Sequence, residues 1–373
     1  MGKLCIFEDR AEGHRLVYIA YLIEHLFRVT GKKILLLTTD AVLHSEEYSI
    51  SLKSLEEHFD SVVGGAKAAR GSLQRYRMLT NLVKKCGQGD VDLLLVPSSD
   101  GLTQISGLLA LMRLDPLSGL NVRWGLLRLG VTYPGQSALR KIKLQGSFWL
   151  QQKSAGTRLY YDSYAVASYK VMTGIELNYV PDPLLSADSN QAVPPASGAA
   201  KAGLRFGCIG HLSGRKGVDL AVDAFVKADL PGTAALCLAG KCVDKRVLKS
   251  IESARKILGP RLEFRNGILN NSEYWEVLNT LDVVCLPYPG HVGPSGIFAQ
   301  AASIGKLIIT TDFGWLGSEA RKYNKALTFK NDSVEDLCRA MEKAEASADA
   351  LRDAEGNYIP ESPENFVRIL SGY

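Results

Sequence analysis

Two doubly wound α/β domains are the fold that the sequence predicts, and three observations predict it. Strand-length apolar runs alternate with segments of helical periodicity along most of the chain, and continuous apolar strands of this kind read as parallel sheets covered on both faces. The alternation breaks once, over residues 185–203, and then restarts. The length, 373 residues, suits two domains of roughly 100–200 residues each.

The first half opens on the short strand Lys3 to Phe7, followed by a polar loop through His14. From Arg15 the apolar residues Leu16, Ile19, Ala20, Ile23, Leu26 and Phe27 recur at three and four, which predicts a helix with one buried stripe. Gly31 stops it, and Lys33 to Leu37 is the next strand. Asp92 to Pro97 and Trp124 to Leu129 are further strand candidates. The pair Asp90 and Asp92 reads as a turn into a strand rather than a metal site, and no metal is expected.

Val180 to Leu184 holds two prolines and cannot be a helix interior. Residues 186–203 are rich in Ser, Ala, Pro, Gly and Asn, which is linker composition. Strands are then expected at Leu204 to Gly210, Thr233 to Gly240, Leu262 to Phe264, Val283 to Pro287 and Leu307 to Thr310. Helices are expected at Gly217 to Lys227, at Lys245 to Leu258, at Ser272 to Thr280 with Ser272 as its cap, and from near Ser295. The tail Asn365 to Leu370 is an apolar helix in need of a surface. The expected domains are 1–184, a linker 185–203, a second domain 204–355, and a helix within 356–373 that crosses back to the first.

Composition narrows the class. With 46% hydrophobic and 22% charged residues the chain is neither disordered nor fibrous. Its apolar runs fall far short of the ~20 residues that span a bilayer, and Met1 to Asp9 does not read as a secretory signal. Seven cysteines, mostly among apolar neighbours, read as free buried thiols of a reducing compartment. A cytoplasmic location is the expectation.

Three segments could carry chemistry. In Gly210-His-Leu-Ser-Gly-Arg-Lys-Gly217 a strand ends, a loop carries Arg215 and Lys216, and a helix begins. Arginine binds a diphosphate as a fork and lysine adds a point charge; taken alone, a solvated basic turn explains the residues equally well. Pro287 to Ala302 again runs from a strand through a Gly/Pro/Ser loop into a helix. The unpaired amides of that helix start suit an anion, with Ser295 and Gly296 as cap and approach residues. Gly13 and His14 sit between the first strand and the first helix, where glycine admits a phosphate to the backbone.

The order of these segments, with Leu262 to Ile268 and Ser272 to Asp282 between the last two, resembles the retaining, nucleotide-sugar-dependent glycosyltransferases of the GT-B fold in the large family-four group. The resemblance is strong over about 204–320 and loose over the first half. It implies two Rossmann-like domains facing each other across a cleft, with Arg215 and Lys216 gripping the diphosphate of a UDP- or GDP-linked sugar. It assigns donor binding to Gly13, His14, Gly210, Ile268, Gly293, Ser295, Gly296 and Gln300, with no tightly bound cofactor. The family places two glutamates, separated by seven residues, around the last of these helices; here the positions hold Val292 and Gln300. A histidine expected near the donor sugar has no counterpart in Gly130 to Pro134. The departure at Val292 leaves open a catalytically silent protein that binds nucleotide or carbohydrate or supports a partner enzyme, and a nucleotide-sugar epimerase shares the fold.

Charge bears on the acceptor. Residues 1–185 carry 22 Lys and Arg against 17 Asp and Glu, while 186–373 carry 22 against 22. Residues 137–153 concentrate the excess, with Arg140, Lys141, Lys143 and Lys153 beside Phe148, Trp149 and Leu150. Such a segment could rest on an anionic membrane bearing lipid-linked acceptors, grip an anionic polymer, or be a solvated helix with its aromatic turned inward. A glycan acceptor is equally compatible. Arg70, Arg75 and Arg77 read as a second, exposed basic cluster.

Overall fold

The computed structural model describes residues 2–12, 15–127, 129–132, 137–182, 203–348, 350, 354–359 and 362–373. The chain divides into two units: Met1–Leu184 with Glu361–Tyr373, and Leu185–Pro360. Most of the linker segment expected at 185–203 lies outside the described residues, as do Gly13 and His14.

Unit 1 is a six-stranded sheet of β1 (Lys3–Phe7), β2 (Ile34–Thr38), β3 (Phe59–Val63), β4 (Val91–Val96), β5 (Val122–Leu126) and β6 (Thr157–Tyr160). All pairings are parallel, in the order β3-β2-β1-β4-β5-β6. Its helices are α1 (Arg15–Thr30), α2 (Asp40–Leu43), α3 (Glu46–Ser51), α4 (Ser72–Lys85), α5 (Leu102–Leu111), α6 (Ala138–Gln152) and α7 (Ser163–Thr173). Strand alternation sends β1 into two cores. Leu4 and Ile6 pack with Ile19 and Leu22 of α1, whereas Cys5 and Phe7 pack with Tyr76 and Leu79 of α4.

Unit 2 repeats the plan with β7 (Arg205–Ile209), β8 (Ala235–Gly240), β9 (Leu262–Asn266), β10 (Val283–Leu286), β11 (Leu307–Thr311) and β12 (Ala326–Phe329). The parallel order is β12-β11-β10-β7-β8-β9. The helices are α8 (Val218–Lys227), α9 (Lys245–Leu258), α10 (Asn271–Thr280), α11 (Gly296–Ser303), α12 (Gly314–Ala320) and α13 (Val334–Ala346). One face of the sheet buries Phe206, Leu236 and Val283 against Val222, Ile251 and Met341 of α8, α9 and α13. Phe298, Trp315 and Tyr323 form an edge-to-face aromatic group around α11 and α12. Each unit therefore has the nucleotide-binding strand order in which two crossovers run in opposite directions from one central pair. This is the GT-B architecture of two Rossmann-like units.

Three details differ from the sequence reading. Helix α10 is capped by Asn270, not Ser272: the Asn270 side chain accepts from the Glu273 N–H, and Glu273 accepts in return from the Asn270 N–H, each at 2.9 Å. The strand expected at Trp124 to Leu129 is Val122–Leu126. Arg75 is buried, not exposed, and donates to Asp9 Oδ1 at 2.6 Å. All seven cysteines are buried and none is disulfide-bonded.

The last helix, α14 (Pro363–Ser371), belongs to unit 1. Ser362 caps it, and Phe366, Val367 and Leu370 are buried with Tyr18 and Tyr161. The Phe366 ring lies 5.3 Å from Tyr18 and 6.0 Å from Tyr161. At the far end Arg123 Nη1 donates to the carbonyls of Ile369 (2.8 Å) and Leu370 (3.3 Å), which satisfies the open end of the helix.

Replacing Phe366 by alanine should therefore cost about 3–5 kcal/mol, the usual range for an emptied aromatic site. In calorimetry the loss is expected in the transition of unit 1, with that of unit 2 unchanged.

Candidate functional site

In a sheet of this order, ligands bind beyond the carboxyl ends of the strands at the point where the order reverses. In unit 2 that point lies between β7 and β10, and the two loops leaving those strands are the two that carry Arg215–Lys216 and Ser295–Gly296.

The loop after β7 is held by its neighbours. Gly210 (φ +93°) donates to the Ala239 carbonyl at 2.9 Å, and Leu212 donates to Lys241 at the same distance. Gly214 N–H donates to Asp244 Oδ2 at 3.0 Å, while the other oxygen of Asp244 caps α9. These amide bonds hold the Asp244 carboxyl below its usual range. A single turn, Gly214–Lys216, then delivers the chain to Gly217, which has φ +65°. A Cβ at Gly217 would stand 2.8 Å from both Pro287 Cβ and Pro289 Cδ. The glycine is what allows the two loops to touch.

Their contact is specific. The Lys216 ammonium donates to Tyr288 Oη at 2.8 Å and lies 4.0 Å from the centroid of the same ring. Tyr288 N–H donates back to the Lys216 carbonyl at 3.3 Å. Tyr288 sits between two prolines with φ +30°, a strained backbone for a bulky residue. Burial raises its hydroxyl pKa, while a hydrogen bond with Ser295 acts in the opposite direction. His291 stands edge-on to it at 5.5 Å.

The electrostatics are one-sided. Burial, and after it the charge of Arg215, bring Lys216 down to about 8. Burial and then the two cations at 215 and 216 lower His291 as well, against opposing bonds from the backbone of residues 293 and 294. Among the described residues no carboxylate offsets these effects on Lys216. Arg215 itself is exposed. Ser213 Oγ, just ahead of it, is buried without a hydrogen-bond partner among the described residues.

The structure thus brings together Arg215, Lys216 and the Pro287 to Gly296 loop. Ser295 is buried and caps α11, its oxygen accepting from the Phe298 N–H at 3.4 Å; Gly296 is the first residue of that helix. Gly293 has open space around its Cα. Gln300 accepts from the Tyr274 hydroxyl at 2.6 Å. Val292 offers only its carbonyl, which accepts from Trp315 N–H at 3.1 Å. Ile268, beyond β9, is 78% exposed. Tyr288, His291 and Ser213 are additions that the sequence did not single out; a large aromatic between Pro287 and Pro289 was the available signal.

In unit 1 the corresponding strand ends hold a buried charge cluster. Arg15 donates to both oxygens of Glu8 at 3.1 Å. Arg75 reaches Asp9, the Ser98 carbonyl at 3.4 Å, and Glu8 at 3.6 Å. Burial raises the Glu8 pKa, and the two arginines oppose that shift.

Residues 203–346 match the family described as glycosyl transferases group 1. No curated protein matches the chain as a sequence. Among solved structures, sucrose-phosphate synthase from Thermosynechococcus elongatus shares 14% identity at a TM-score of 0.64, covering 100% of this chain and 95% of that one. The Anabaena protein HepE in complex with UDP shares 11% at 0.63, covering 93% and 90%. The lipopolysaccharide outer core galactosyltransferase WaaB, in its apo form, shares 14% at 0.63, covering 99% and 95%. These likenesses are to the fold.

Gly217→Ala should destabilise unit 2 by about 1–3 kcal/mol, since it combines a left-handed backbone with a clash on the second loop. Gly232→Ala, with open space around it, is the control, and thermal unfolding should leave it near wild type.

Proposed function

We propose that the chain is a glycosyltransferase that moves a sugar from a nucleotide-diphosphate donor to an acceptor, with unit 2 as the donor domain and unit 1 as the acceptor domain. One observation carries the reading: Arg215, Lys216 and His291 gather where the strand order reverses, and no acid neutralises Lys216. A diphosphate is the complement of such a cluster. The Ser213 hydroxyl and the amides at the start of α11 supply further donors. The family match over 203–346 supports this assignment. A neighbour of the same fold that binds UDP makes uridine diphosphate the first donor to test, ahead of guanosine diphosphate.

The remaining roles follow from position. Gly210 gives the nucleotide room at the β7 end, and the exposed Ile268 offers an apolar edge to the base. The backbone N–H groups of Gly293, Ser295 and Gly296 serve the sugar, Pro294 between them having none, and Gln300, oriented by Tyr274, serves the ribose. We assign retention of configuration. The bond from the anomeric carbon to the diphosphate oxygen breaks as the acceptor oxygen attacks on the same face. The departing phosphate oxygen takes the acceptor proton, while Arg215 and Lys216 neutralise the growing negative charge. No strong protein base is needed.

Val292 favours a second reading, in which the protein binds nucleotide sugar without turning it over. Release of nucleoside diphosphate over hours, followed by phosphorus NMR with a panel of acceptors, separates the two.

Arg215→Ala combined with Lys216→Ala should lower UDP affinity by about two to four orders of magnitude, the worth of two charge-assisted contacts, with the melting temperature retained. Unchanged affinity in titration calorimetry would refute the donor site. Lys216 carries its charge below a pKa of about 8, so UDP affinity should decline as pH rises through that value, by at most about tenfold per unit. Lys216→Arg should remove the decline.

A further inference from the structure

Helix α6 has two apolar stripes, and only one is used by the protein. The inner stripe runs through Leu144, Ser147, Phe148 and Gln151, at spacings of three and four. Phe148 packs on Tyr169 of α7 with centroids 4.9 Å apart, Ser147 accepts from Gln104 of α5 at 3.3 Å, and Gln151 is buried. The opposite side carries Leu139, Ile142, Gly146, Trp149 and Lys153, which recur at steps of three and four and so lie along one line of the helix. On that line Leu139 is 79% exposed, Ile142 66% and Trp149 52%. Three large apolar residues in line on one exposed face form a contiguous patch, the kind that marks an interaction surface.

The charge around the stripe selects the surface. Lys143, four residues after Leu139, stands beside its first two turns, and the Lys153 ammonium lies 5.5 Å from the centre of the Trp149 ring; Arg140 and Lys141 are exposed at the start of the helix. From Pro116 to Tyr161 the chain has four Arg and three Lys and neither Asp nor Glu. A second copy of this face would set these cations against each other. An anionic polymer would use the cations but would leave Leu139, Ile142 and Trp149 in water. A surface that is apolar below and anionic above uses both. Tryptophan prefers that boundary, and lysine stems reach from it toward headgroups.

We infer that the outer face of α6 is a peripheral docking surface for a membrane bearing anionic lipid. Leu139, Ile142 and Trp149 enter the headgroup boundary, and Lys143 and Lys153 engage the lipid charge. Among the described residues no helix is long and apolar enough to cross a membrane, and α6 lies along the surface instead. The inference is independent of the proposed donor site and stands or falls without it.

The test uses the full chain with vesicles of phosphatidylcholine alone or with about one-third phosphatidylserine. Trp124, Trp275 and Trp315 are buried, so a blue shift of tryptophan emission reports on Trp149. The expected result is cosedimentation with the anionic vesicles, weakened by salt, together with that shift. Leu139→Ser with Ile142→Ser, and separately Lys143→Glu with Lys153→Glu, should each lower partitioning about tenfold or more, at unchanged melting temperature. The proposal is overturned if the unmodified chain stays in the supernatant at low salt, or pellets without the emission shift. It is equally overturned if the serine variant binds vesicles as well as wild type, or if it dissolves a dimer while the vesicles are ignored. Retention on polyphosphate by wild type and serine variant alike, with no vesicle binding, would assign the face to a polymer.

Discussion

A cation taken out of water and given no counter-ion governs the second unit. Lys216 loses hydration in its pocket, and what it finds there is the hydroxyl and the ring face of Tyr288. An aromatic face and one neutral oxygen return only part of the solvation of an ammonium. The lowered proton affinity of Lys216 reflects that burial and the neighbouring charge of Arg215. The contact forms where Gly217 lets the chain pass close to Pro287 and Pro289, with Tyr288 between them at φ +30°. Positive charge is thus concentrated beside the second loop, with Arg215 in the open and Lys216 half-buried against Tyr288.

Much of the architecture was legible because central strands of a parallel sheet are apolar on both faces. β1, β2, β4, β7, β8, β10 and β11 announce themselves in this way, whereas their order in each sheet is seen only in the structure. Three of the four edge strands lack that signal. β3 (Phe-Asp-Ser-Val-Val), β6 (Thr-Arg-Leu-Tyr) and β12 (Ala-Leu-Thr-Phe) are short and partly polar, and the sequence reading does not single them out. Among the helix caps, Asn270 was hidden because Ser272 is an equally good cap by type; only the reciprocal bond with Glu273 decides between them. Arg75 misled for a different reason. Its burial depends on Asp9, sixty-six positions away in sequence, and no local pattern encodes such a pairing.

The candidate site divides similarly. Arg215 and Lys216 stand out as adjacent cations after a strand, and Ser295 as a cap. The role of Tyr288 is invisible until its loop folds back on Lys216. The absence of an acid at 292 also acquires a structural setting. Val292 is pinned through its carbonyl by Trp315, and Gly314 is packed so tightly on residue 291 that a Cβ there would meet its carbonyl oxygen at 2.6 Å. The loop is held here by main-chain contacts, so its shape does not depend on a hydrogen bond from the side chain at 292.

The thiols have a practical consequence. Cys5 sits mid-strand in the first sheet, and Cys208 and Cys285 in the second, all out of reach of solvent. Burial pushes Cys5 and Cys285 up to about 12, so essentially no thiolate exists in the folded state near neutrality. A maleimide or disulfide reagent can then react only through a transient opening of the strand that carries the thiol. The native cysteines therefore act as built-in clocks, one set in each sheet, from which the opening free energies of the two halves can be timed separately without adding a label.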